Sequence, residues 1–470
     1  MSWREAADAA QTFFLLYFAA INLAYVALNM LAALELRKRL GERLLGLLPR
    51  AYSPYEPPVS LLVPAYNEEA TICASVRSML QLEYPELEVI VINDGSGDAT
   101  LEALSREFAL APFPEAYRQR LACKPVRGVY RSAHFPNLRV IDKENGGRKA
   151  DAVNAGINAA RYPLVCVVDA DTILERSSLR RAAAPFLHEP DVVAVGGTVR
   201  IANGCEVRDG FLHAVGLPTS MLPLFQVMEY LRAFLFGRLG WAAVNAVPIV
   251  SGAFGLFRRE AVVSAGGFNV DTLGEDMELI MRLHRLHRIE RRPYAIAFLP
   301  DPVCWTEAPE SFRMLRSQRT RWQRGLSETL WMHRGLIFHP RGGAPGWLAL
   351  PYMIAFEWAA PFLEAAGYVF MAAGFLSGFV AAEAFWTFML LAISTGMLVS
   401  MTALVLEEMS LHMYKRPGEL ASLIAVALLE NLGYRQLTVL WRLQGLWQWA
   451  TGASARWGTM TRVATWQRKN

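Results

Sequence analysis

Two long blocks without basic residues flank a charged middle region, and they constrain the fold more than any other feature. Residues 9–34 carry no charged side chain, and residues 346–406 contain no Lys, Arg or His and only the acids Glu357, Glu364 and Glu383. A membrane-spanning helix needs about 20 apolar residues. We therefore expect one crossing from the first block and two from the second, with a break near residues 377–383. Pro351 and Pro361 indicate that the second block begins with a kinked, interfacial or re-entrant stretch.

The first block is expected to be a retained anchor rather than a cleaved signal peptide. Arg4 is offset by Glu5 and Asp8, and no small-residue cleavage site follows the apolar run. The basic cluster at residues 37–39 is expected to stay in the cytosol, which places the N-terminus outside.

A third apolar run, residues 420–446, is interrupted by Glu430, Asn431, Arg435 and Arg442. Ionisable residues at membrane depth face a bundle interior or a polar pathway. The alternative is an amphipathic helix that lies on the membrane surface. The sequence leaves both readings open.

Composition agrees with a membrane protein and excludes several other classes. Hydrophobic residues make up 53% and charged residues 19% of the chain, whereas soluble domains average roughly 45–50% and 25%. A net charge of +4 without a long basic run indicates that nucleic acid is not a partner. The five cysteines include no CxxC pair, which favours free thiols in a reducing cytosol.

The middle of the chain alternates short apolar runs with helical patterns. Strands are predicted at residues 59–63, 88–92, 138–141 and 164–168, and helices at 68–80 and 148–160, whereas residues 112–130 are predicted to be a loop. This alternation predicts a mostly parallel, doubly wound α/β sheet, in which ligands bind at the carboxyl ends of the strands. No GxGxxG follows the first strand and no P-loop motif occurs, which disfavours a dinucleotide oxidoreductase and a P-loop NTPase.

Six motifs follow one another in this region. They are VPAYNEE at residues 63–69, NDGSGD at 93–98, NGGRKADAVNAG at 145–156, DAD at 169–171, GED at 274–276 and QRTRW at 318–322. In this order they resemble the family 2 nucleotide-sugar glycosyltransferases, and more narrowly the membrane-embedded cellulose, poly-N-acetylglucosamine, hyaluronan and chitin synthases. The resemblance covers about residues 59–325.

This resemblance implies a doubly wound mixed sheet of the GT-A type, embedded between transmembrane and interfacial helices. We expect a transmembrane helix and basic segment at residues 1–50, a cytosolic glycosyltransferase domain at 51–305, interfacial amphipathic helices carrying QxxRW at 306–345, and transmembrane helices with a short tail at 346–470. Little chain follows the last apolar run, so an accessory export or regulatory subunit is expected to be a separate chain.

A UDP-sugar donor carries two phosphates, and a hard divalent cation with carboxylate ligands neutralises the charge of the leaving UDP. Asp169 and Asp171, two residues apart at a strand end, can both face such an ion, so we expect Mg²⁺ or Mn²⁺ there. The alternative is that Asp171 caps a helix that starts near Ser177.

The donor-binding residues are implied by the resemblance. Asp94 contacts the uracil or ribose together with Tyr66 and Glu68, and Lys149 and Asp169 belong to the nucleotide site. The alternatives are an ordinary turn at Asp94, which can coexist with binding, and a surface lysine at Lys149.

The QxxRW motif supplies three further expected binding residues: Gln318, Arg321 and Trp322. Arg321 is expected at the diphosphate, because its fork matches phosphate oxygens, and Trp322 offers a flat face to the acceptor sugar. The alternative is an interfacial helix with its arginines on lipid head groups.

Transfer with inversion requires a base that takes the proton of the acceptor hydroxyl. Asp276 is the candidate base, with Glu275 as its neighbour. A carboxylate in a first helical turn is also favoured by the helix dipole, so helix capping is the alternative. Gly274 replaces the threonine typical of this motif, and residues 251–254 resemble the acceptor-side segment of the family.

The leading hypothesis is therefore a processive synthase in the plasma (inner) membrane that adds sugars from cytosolic UDP-sugar to a polysaccharide acceptor and passes the polymer outward. The nearest alternative is a non-processive transferase with a lipid acceptor. A catalytically inactive membrane scaffold or receptor is a third possibility, which the presence of all the acidic motifs disfavours.

Overall fold

The computed structural model describes residues 3–46, 56–208, 210–378 and 380–453. The domain boundary expected at residues 50–51 lies outside the described residues.

Twelve strands are described. They are Val59–Ala65 (β1), Leu87–Asn93 (β2), Leu110–Pro112 (β3), Val126–Ser132 (β4), Leu138–Lys143 (β5), Leu164–Val168 (β6), Ile173–Leu174 (β7), Val192–Ile201 (β8), Glu206–Arg208 (β9), Phe211–Ala214 (β10), Phe254–Arg258 (β11) and Ala295–Thr306 (β12).

Fifteen α-helices are described. They are Trp3–Gly46 (α1), Ile72–Leu80 (α2), Thr100–Phe108 (α3), Lys149–Ala159 (α4), Ser178–His188 (α5), Met221–Leu231 (α6), Leu239–Ala242 (α7), Arg259–Ser264 (α8), Glu275–Glu290 (α9), Phe312–Met332 (α10), Leu350–Tyr352 (α11), Ala360–Leu376 (α12), Ala382–Ser410 (α13), Pro417–Leu429 (α14) and Tyr434–Ala450 (α15). Arg232–Arg238, Pro345–Ala349 and Met353–Trp358 are π-helical, and Arg334–Leu336 is a 3₁₀ turn.

Ten strands form one mixed sheet in the order β3-β4-β5-β2-β1-β6-β11-β8-β12-β7. The central strands β5, β2, β1 and β6 are parallel to one another, whereas β11 runs antiparallel between β6 and β8. Every residue of β2, β5 and β6 is buried, because helices cover both faces of a doubly wound sheet. The predicted α/β mixed sheet is confirmed.

The loop predicted at residues 112–130 is wrong at its ends. Leu110–Pro112 pairs antiparallel with Val126–Ser132, which in turn pairs with β5. This hairpin forms the edge of the sheet and is only partly buried. An edge strand of this kind carries few apolar residues, so hydrophobic periodicity gave no sign of it.

Among the described residues, three helical segments are long and apolar enough to cross a membrane: Ala9–Arg37, Pro345–Leu376 and Phe385–Met409. The chain breaks between α12 and α13, where a break was expected, and π-helical turns occupy the stretch around Pro351. Helices α14 and α15 are bent by 58° to each other and together form a fourth candidate span. By their length and composition, these apolar helices are suited to a membrane protein.

The polar residues of the third apolar run face the interior of the helix bundle. Glu430 and Asn431 are buried, and Arg435 makes a two-pronged ion pair with Glu364 of α12, with N–O distances of 3.0 and 3.1 Å. A helix lying on the membrane surface would direct such residues to water or head groups. The bundle-facing reading is therefore the one that the structure supports.

Candidate active site

The expected donor residues gather where the central parallel strands end. Tyr66, Asp94 and Asp169 directly follow β1, β2 and β6, and these three strands are neighbours in the sheet. Because carboxyl ends of parallel strands meet at one edge of a sheet, this edge is the natural ligand crevice of the fold.

Lys149, the first residue of α4, links two parts of this edge. Its ammonium pairs with Asp169 and donates a hydrogen bond to the Gly252 carbonyl oxygen at 2.7 Å. Lys149 is thus part of a bonded cluster rather than a solvated surface lysine.

Asp276 completes the cluster from the first turn of α9. Its Oδ2 accepts the Gly252 amide at 3.0 Å, and its Oδ1 accepts the Met277 amide at 2.8 Å. The second contact is local, whereas the first ties the carboxylate to residues 251–254. Both carboxylate oxygens are therefore oriented by backbone donors.

Burial and close carboxylates together shift the pKa values in this cluster. Burial, and then the neighbouring Asp276, raise the pKa of Glu275 to about 7, while Lys149 and Arg321 oppose the shift. Burial lowers the pKa of Lys149, but Asp169, Glu275 and Asp276 outweigh it, so this pKa lies above its ordinary value. Lys149 is a permanent cation, and Glu275 changes charge near neutral pH.

Helix α10 docks on the turn before Asp276 through two glycines. A side-chain carbon on Gly325 would lie 2.8 Å from the Gly274 nitrogen, so the backbones are in direct contact. Glu328 of α10 accepts hydrogen bonds from Thr272 Oγ1 at 3.0 Å and from the Leu273 amide at 2.8 Å. A side-chain carbon on Gly274 would lie 3.1 Å from the Gly325 backbone, so a threonine at this position would require that backbone to shift.

The QxxRW residues occupy one region of α10, because positions three and four apart share a helix face. Gln318 is buried, Trp322 is 44% exposed, and Arg321 lies near enough to Glu275 to lower its pKa. Arg319 pairs with Glu229 and lies 4.5 Å from the centre of the Trp322 ring. Rather than resting on lipid alone, α10 contacts α15, where Arg316 binds Gln444 at 2.8 Å.

Asp94 forms a second buried cluster, centred on Lys143. The fully buried Lys143 ammonium contacts Asp94 at 2.5 Å and Asp151 at 2.6 Å, and the Gly146 amide binds Asp94 at 3.1 Å. Burial raises the pKa of Asp94 despite the opposing lysine. These contacts agree with a structural turn at Asp94, and its binding role stays a prediction.

Tyr66 and Glu68 lie at the same end of β1, and Glu68 bonds toward α2 and α3. Tyr66 is 51% exposed. Glu68 accepts the Thr71 hydroxyl at 2.9 Å, and its amide donates to Thr100 Oγ1 at 2.9 Å.

Two charged residues of the site escaped the sequence reasoning. Lys143 ends β5, a predicted strand, so the rule that ligands bind at strand ends could have found it. Arg238 ends the π-helix Arg232–Arg238, and π-helical turns are frequent at functional sites. Burial lowers the pKa of Arg238 to about 10 against the opposing effect of the Asp276 carboxylate, and the guanidinium lies 3.8 Å from the centre of the Phe234 ring.

The residues expected to hold a metal are compatible with one, without forming a cage. Within the described ranges, no group of three or more His, Cys, Asp or Glu side chains converges. Asp169 already contacts Lys149. Asp171, two residues further along the chain, is buried. Mg²⁺ is commonly held by one or two carboxylates together with substrate phosphates, so the donor set Asp169 and Asp171 fits. Capping of α5 by Asp171 is wrong, because β7 separates it from that helix.

A cavity of about 380 Å³ adjoins the cluster on its membrane side. Its walls come from α1, the π-helix Arg232–Arg238, α12 and α15, and Pro248 and Ile249 contribute to its lining. The next residues, 250–252, line the small pocket that contains Lys149, Glu275 and Asp276. Charged side chains in the cavity wall include Glu229, Arg232, Arg238, Glu357, Glu364, Glu430, Arg435 and Arg442.

Comparison with known families identifies the class. Residues 60–263 match the profile of glycosyl transferase family 2, and residues 164–404, half of the chain, match that of glycosyl transferase family group 2. The protein belongs to this glycosyltransferase family, which confirms the family resemblance drawn from the motifs.

The chain is also similar to characterised proteins. It is 30% identical over 272 residues to the poly-beta-1,6-N-acetyl-D-glucosamine synthase of Staphylococcus aureus (strain COL) and 29% identical to that of Staphylococcus epidermidis. Each match covers 58% of this chain, and the chain spans about half, 55%, of the relatives' length. A mannosyltransferase from Pyrobaculum calidifontis, solved with GDP-Man and Mn²⁺, covers 89% of this chain and is itself 99% covered, with a TM-score of 0.50 at 20% identity. This last likeness concerns the fold.

Proposed function

We propose that the protein is an inverting glycosyltransferase that moves a sugar from a UDP-sugar to a growing polysaccharide and passes the polymer across the membrane. The relatives named poly-beta-1,6-N-acetyl-D-glucosamine synthase support a growing polysaccharide as the acceptor.

One observation carries the proposal: residues 248–249 line the helix cavity, and the next residues, 250–252, line the pocket that contains Asp276. An acceptor sugar seated at Asp276 is therefore close to the cavity. The cavity wall carries acids, arginines and tyrosines among apolar residues, and these polar groups suit the hydroxyl groups of a sugar chain.

In this mechanism Asp276 accepts the proton of the acceptor hydroxyl while UDP departs on the opposite face of the donor sugar. The backbone amides of Gly252 and Met277 hold its carboxylate in position. Lys149 fixes Asp169 and the Gly252 loop relative to each other. Arg321 binds the diphosphate, and Trp322 stacks on the acceptor.

Asp169 and Asp171 would hold Mg²⁺ or Mn²⁺, which neutralises charge on the departing UDP. Turnover should stop in EDTA and return on addition of the metal, and Asp171→Asn should remove most activity. Full turnover in EDTA would contradict a metal requirement.

We place the protein in the plasma membrane with its catalytic domain in the cytosol, where UDP-sugars are available. The basic residues that follow the first apolar block support this orientation, because such clusters remain cytosolic. We include an accessory export or regulatory subunit in the proposal.

The decisive experiment incubates the purified protein with a panel of UDP-sugars and then sizes the product. A polymer or a ladder supports the synthase, whereas a single glycolipid supports the lipid-acceptor alternative. Trp322→Ala should abolish elongation while slow hydrolysis of the donor to free sugar and UDP survives. A Trp322→Ala variant that makes full-length polymer would remove the stacking role.

A further inference from the structure

A second, strongly basic cavity lies far from the strand ends that form the active site. This basic pocket has a volume of about 590 Å³ and lies where α9 ends and β12 begins. Its basic lining residues are His287, Arg288, Arg291, Arg292 and Arg341, and Asp191 is the only acid among the lining residues.

Three of these arginines keep their charge available for a ligand. Arg292 is paired with Glu290 at 2.8 Å. Within the described part of the chain, by contrast, no ion pair involves Arg288, Arg291 or Arg341. The carboxyl end of a helix attracts cations, but the helix dipole amounts to only about half a negative charge there. That is too little to balance three arginines.

Local contacts fix the geometry of the pocket. The Arg288 Nε donates to the Tyr294 hydroxyl at 3.1 Å, and the His287 ring stacks on the Tyr294 ring at 4.9 Å. Arg291 directly follows α9 and adopts the left-handed conformation, with φ of 56°, so the chain changes direction there. Its side chain is exposed. Arg341 is also exposed, and its guanidinium approaches the Ile289 carbonyl from the other wall.

The basic pocket adjoins the start of a membrane segment. Arg341 is four residues from Pro345, where the candidate span Pro345–Leu376 begins, and a side-chain carbon on Gly343 would lie 2.7 Å from the Arg288 guanidinium. Phe338 and Trp347 are at least half exposed and pack edge to face with centroids 5.3 Å apart. Exposed aromatic pairs of this kind mark the level of the lipid head groups.

We propose that the basic pocket binds the phosphate group of an anionic membrane lipid, whose acyl chains lie along Trp347 and Leu348. Arginine forks match phosphate oxygens, and basic pockets beside transmembrane helices on the cytoplasmic side bind anionic head groups. The inference depends on the proposed cytosolic position of the catalytic domain, but not on the reaction. Helix α9 begins with Glu275 and Asp276 and ends at this pocket, so a bound lipid anchors the helix that carries the base.

The test uses the full chain in phosphatidylcholine nanodiscs with and without phosphatidylglycerol. Native mass spectrometry of the released protein counts retained lipid, and the double variant Arg291→Gln/Arg341→Gln is compared with the wild type. We expect wild-type protein to retain phosphatidylglycerol over phosphatidylcholine, and the variant to lose this preference by about tenfold or more. The experiment measures lipid binding, so its result does not depend on whether the proposed sugar transfer is correct.

The matched control Arg106→Gln/Arg127→Gln removes two exposed charges from α3 and β4, at the other side of the sheet, and should retain the lipid. The variant Arg291→Lys/Arg341→Lys keeps both positive charges and should retain most of the lipid. It therefore shows whether loss of lipid by the glutamine variant comes from the lost charge or from misfolding. Equal retention by the wild type and the glutamine variant would overturn the proposal. Displacement of the lipid by inorganic phosphate at equal concentration would also overturn it, because the pocket would then be a site for soluble phosphate.

Discussion

Lys149 holds the two halves of the catalytic edge together, because its ammonium contacts Asp169 on one side and the Gly252 carbonyl on the other. The backbone N–H of the same residue, Gly252, donates to Asp276. Donor-side and acceptor-side groups are therefore connected through a single loop. Substitutions at this scale can separate the roles of the residues.

Asp276→Asn keeps the shape of the side chain but cannot accept a proton. We expect sugar transfer to fall by about 10²–10⁴-fold, the usual contribution of a general base, whereas UDP affinity measured by calorimetry should change little. Asp271→Asn, an exposed acid just before the same helix, is the control. Polymer synthesis by Asp276→Asn at near wild-type rate would show that the carboxylate is only structural.

Glu275 gives the site a pH response. Its pKa is raised to about 7 by burial and by Asp276, so it is protonated below that pH and ionised above it. The ionised form places a second negative charge beside the reacting groups, where the transition state has oxocarbenium-like character, so kcat should rise between about pH 6 and pH 8.

Glu275→Gln should flatten this limb of the kcat profile, whereas Glu290→Gln, at the other end of α9, should keep it. An unchanged limb in Glu275→Gln would assign the titration to another group.

The clustering of the proposed catalytic residues was predictable where a motif coincides with the end of a strand or helix, as for Asp169, Lys149 and Asp276. Lys143 was missed although it ends a strand, because a lysine there resembles a solvated residue until its burial against Asp94 and Asp151 is known. Arg238 lies in an apolar helical stretch far from every motif. Only the tertiary fold brings it near Asp276.

At the scale of elements, the contact between α10 and the turn before α9 decides where the base lies. Gly325 and Gly274 touch through their backbones, and Glu328 binds the turn from the same helix. The sequence predicted both α9 and the QxxRW helix. It could not predict their contact, since nothing local signals which glycines meet.

Gly325→Ala tests this contact. The added methyl group would lie 2.8 Å from the Gly274 nitrogen, so the turn must shift. We expect a loss of about 1–3 kcal/mol in stability and about a tenfold to hundredfold lower kcat, measured by thermal unfolding and UDP release.

Gly335→Ala is the control, because a side-chain carbon there meets nothing within 4 Å. Wild-type kcat in Gly325→Ala would mean that the position of Asp276 does not depend on α10.

At the scale of the whole molecule, the helices around the cavity are held by ion pairs between segments far apart in sequence. Arg232 pairs with Glu430, Arg435 with Glu364, and Arg442 with Glu357. The number of apolar segments was predictable from hydropathy. Their arrangement was not predictable, because the charged residues of the third run form ion pairs with residues on other helices, and the sequence does not show which residues pair.

The topology is testable by cysteine accessibility in a background without the five native cysteines. A cysteine at position 383 should react from outside and one at 415 from the cytosol, because the basic pair Lys415-Arg416 follows a long stretch without basic residues. A cysteine at the exposed Arg106 reports the cytosolic side. Reaction of position 383 only from the cytosol would contradict two crossings.

The paired charges of the bundle also govern the biogenesis of the protein. Glu357 and Glu364 leave the ribosome 85 and 71 residues before their partners Arg442 and Arg435. During that interval the two carboxylates lie in or next to the lipid without positively charged partners. Placing an unpaired charge in lipid costs free energy. Completion of the last helix therefore closes the bundle. A chain truncated before α15 should be retained by the insertion machinery and degraded, even though its glycosyltransferase domain is whole.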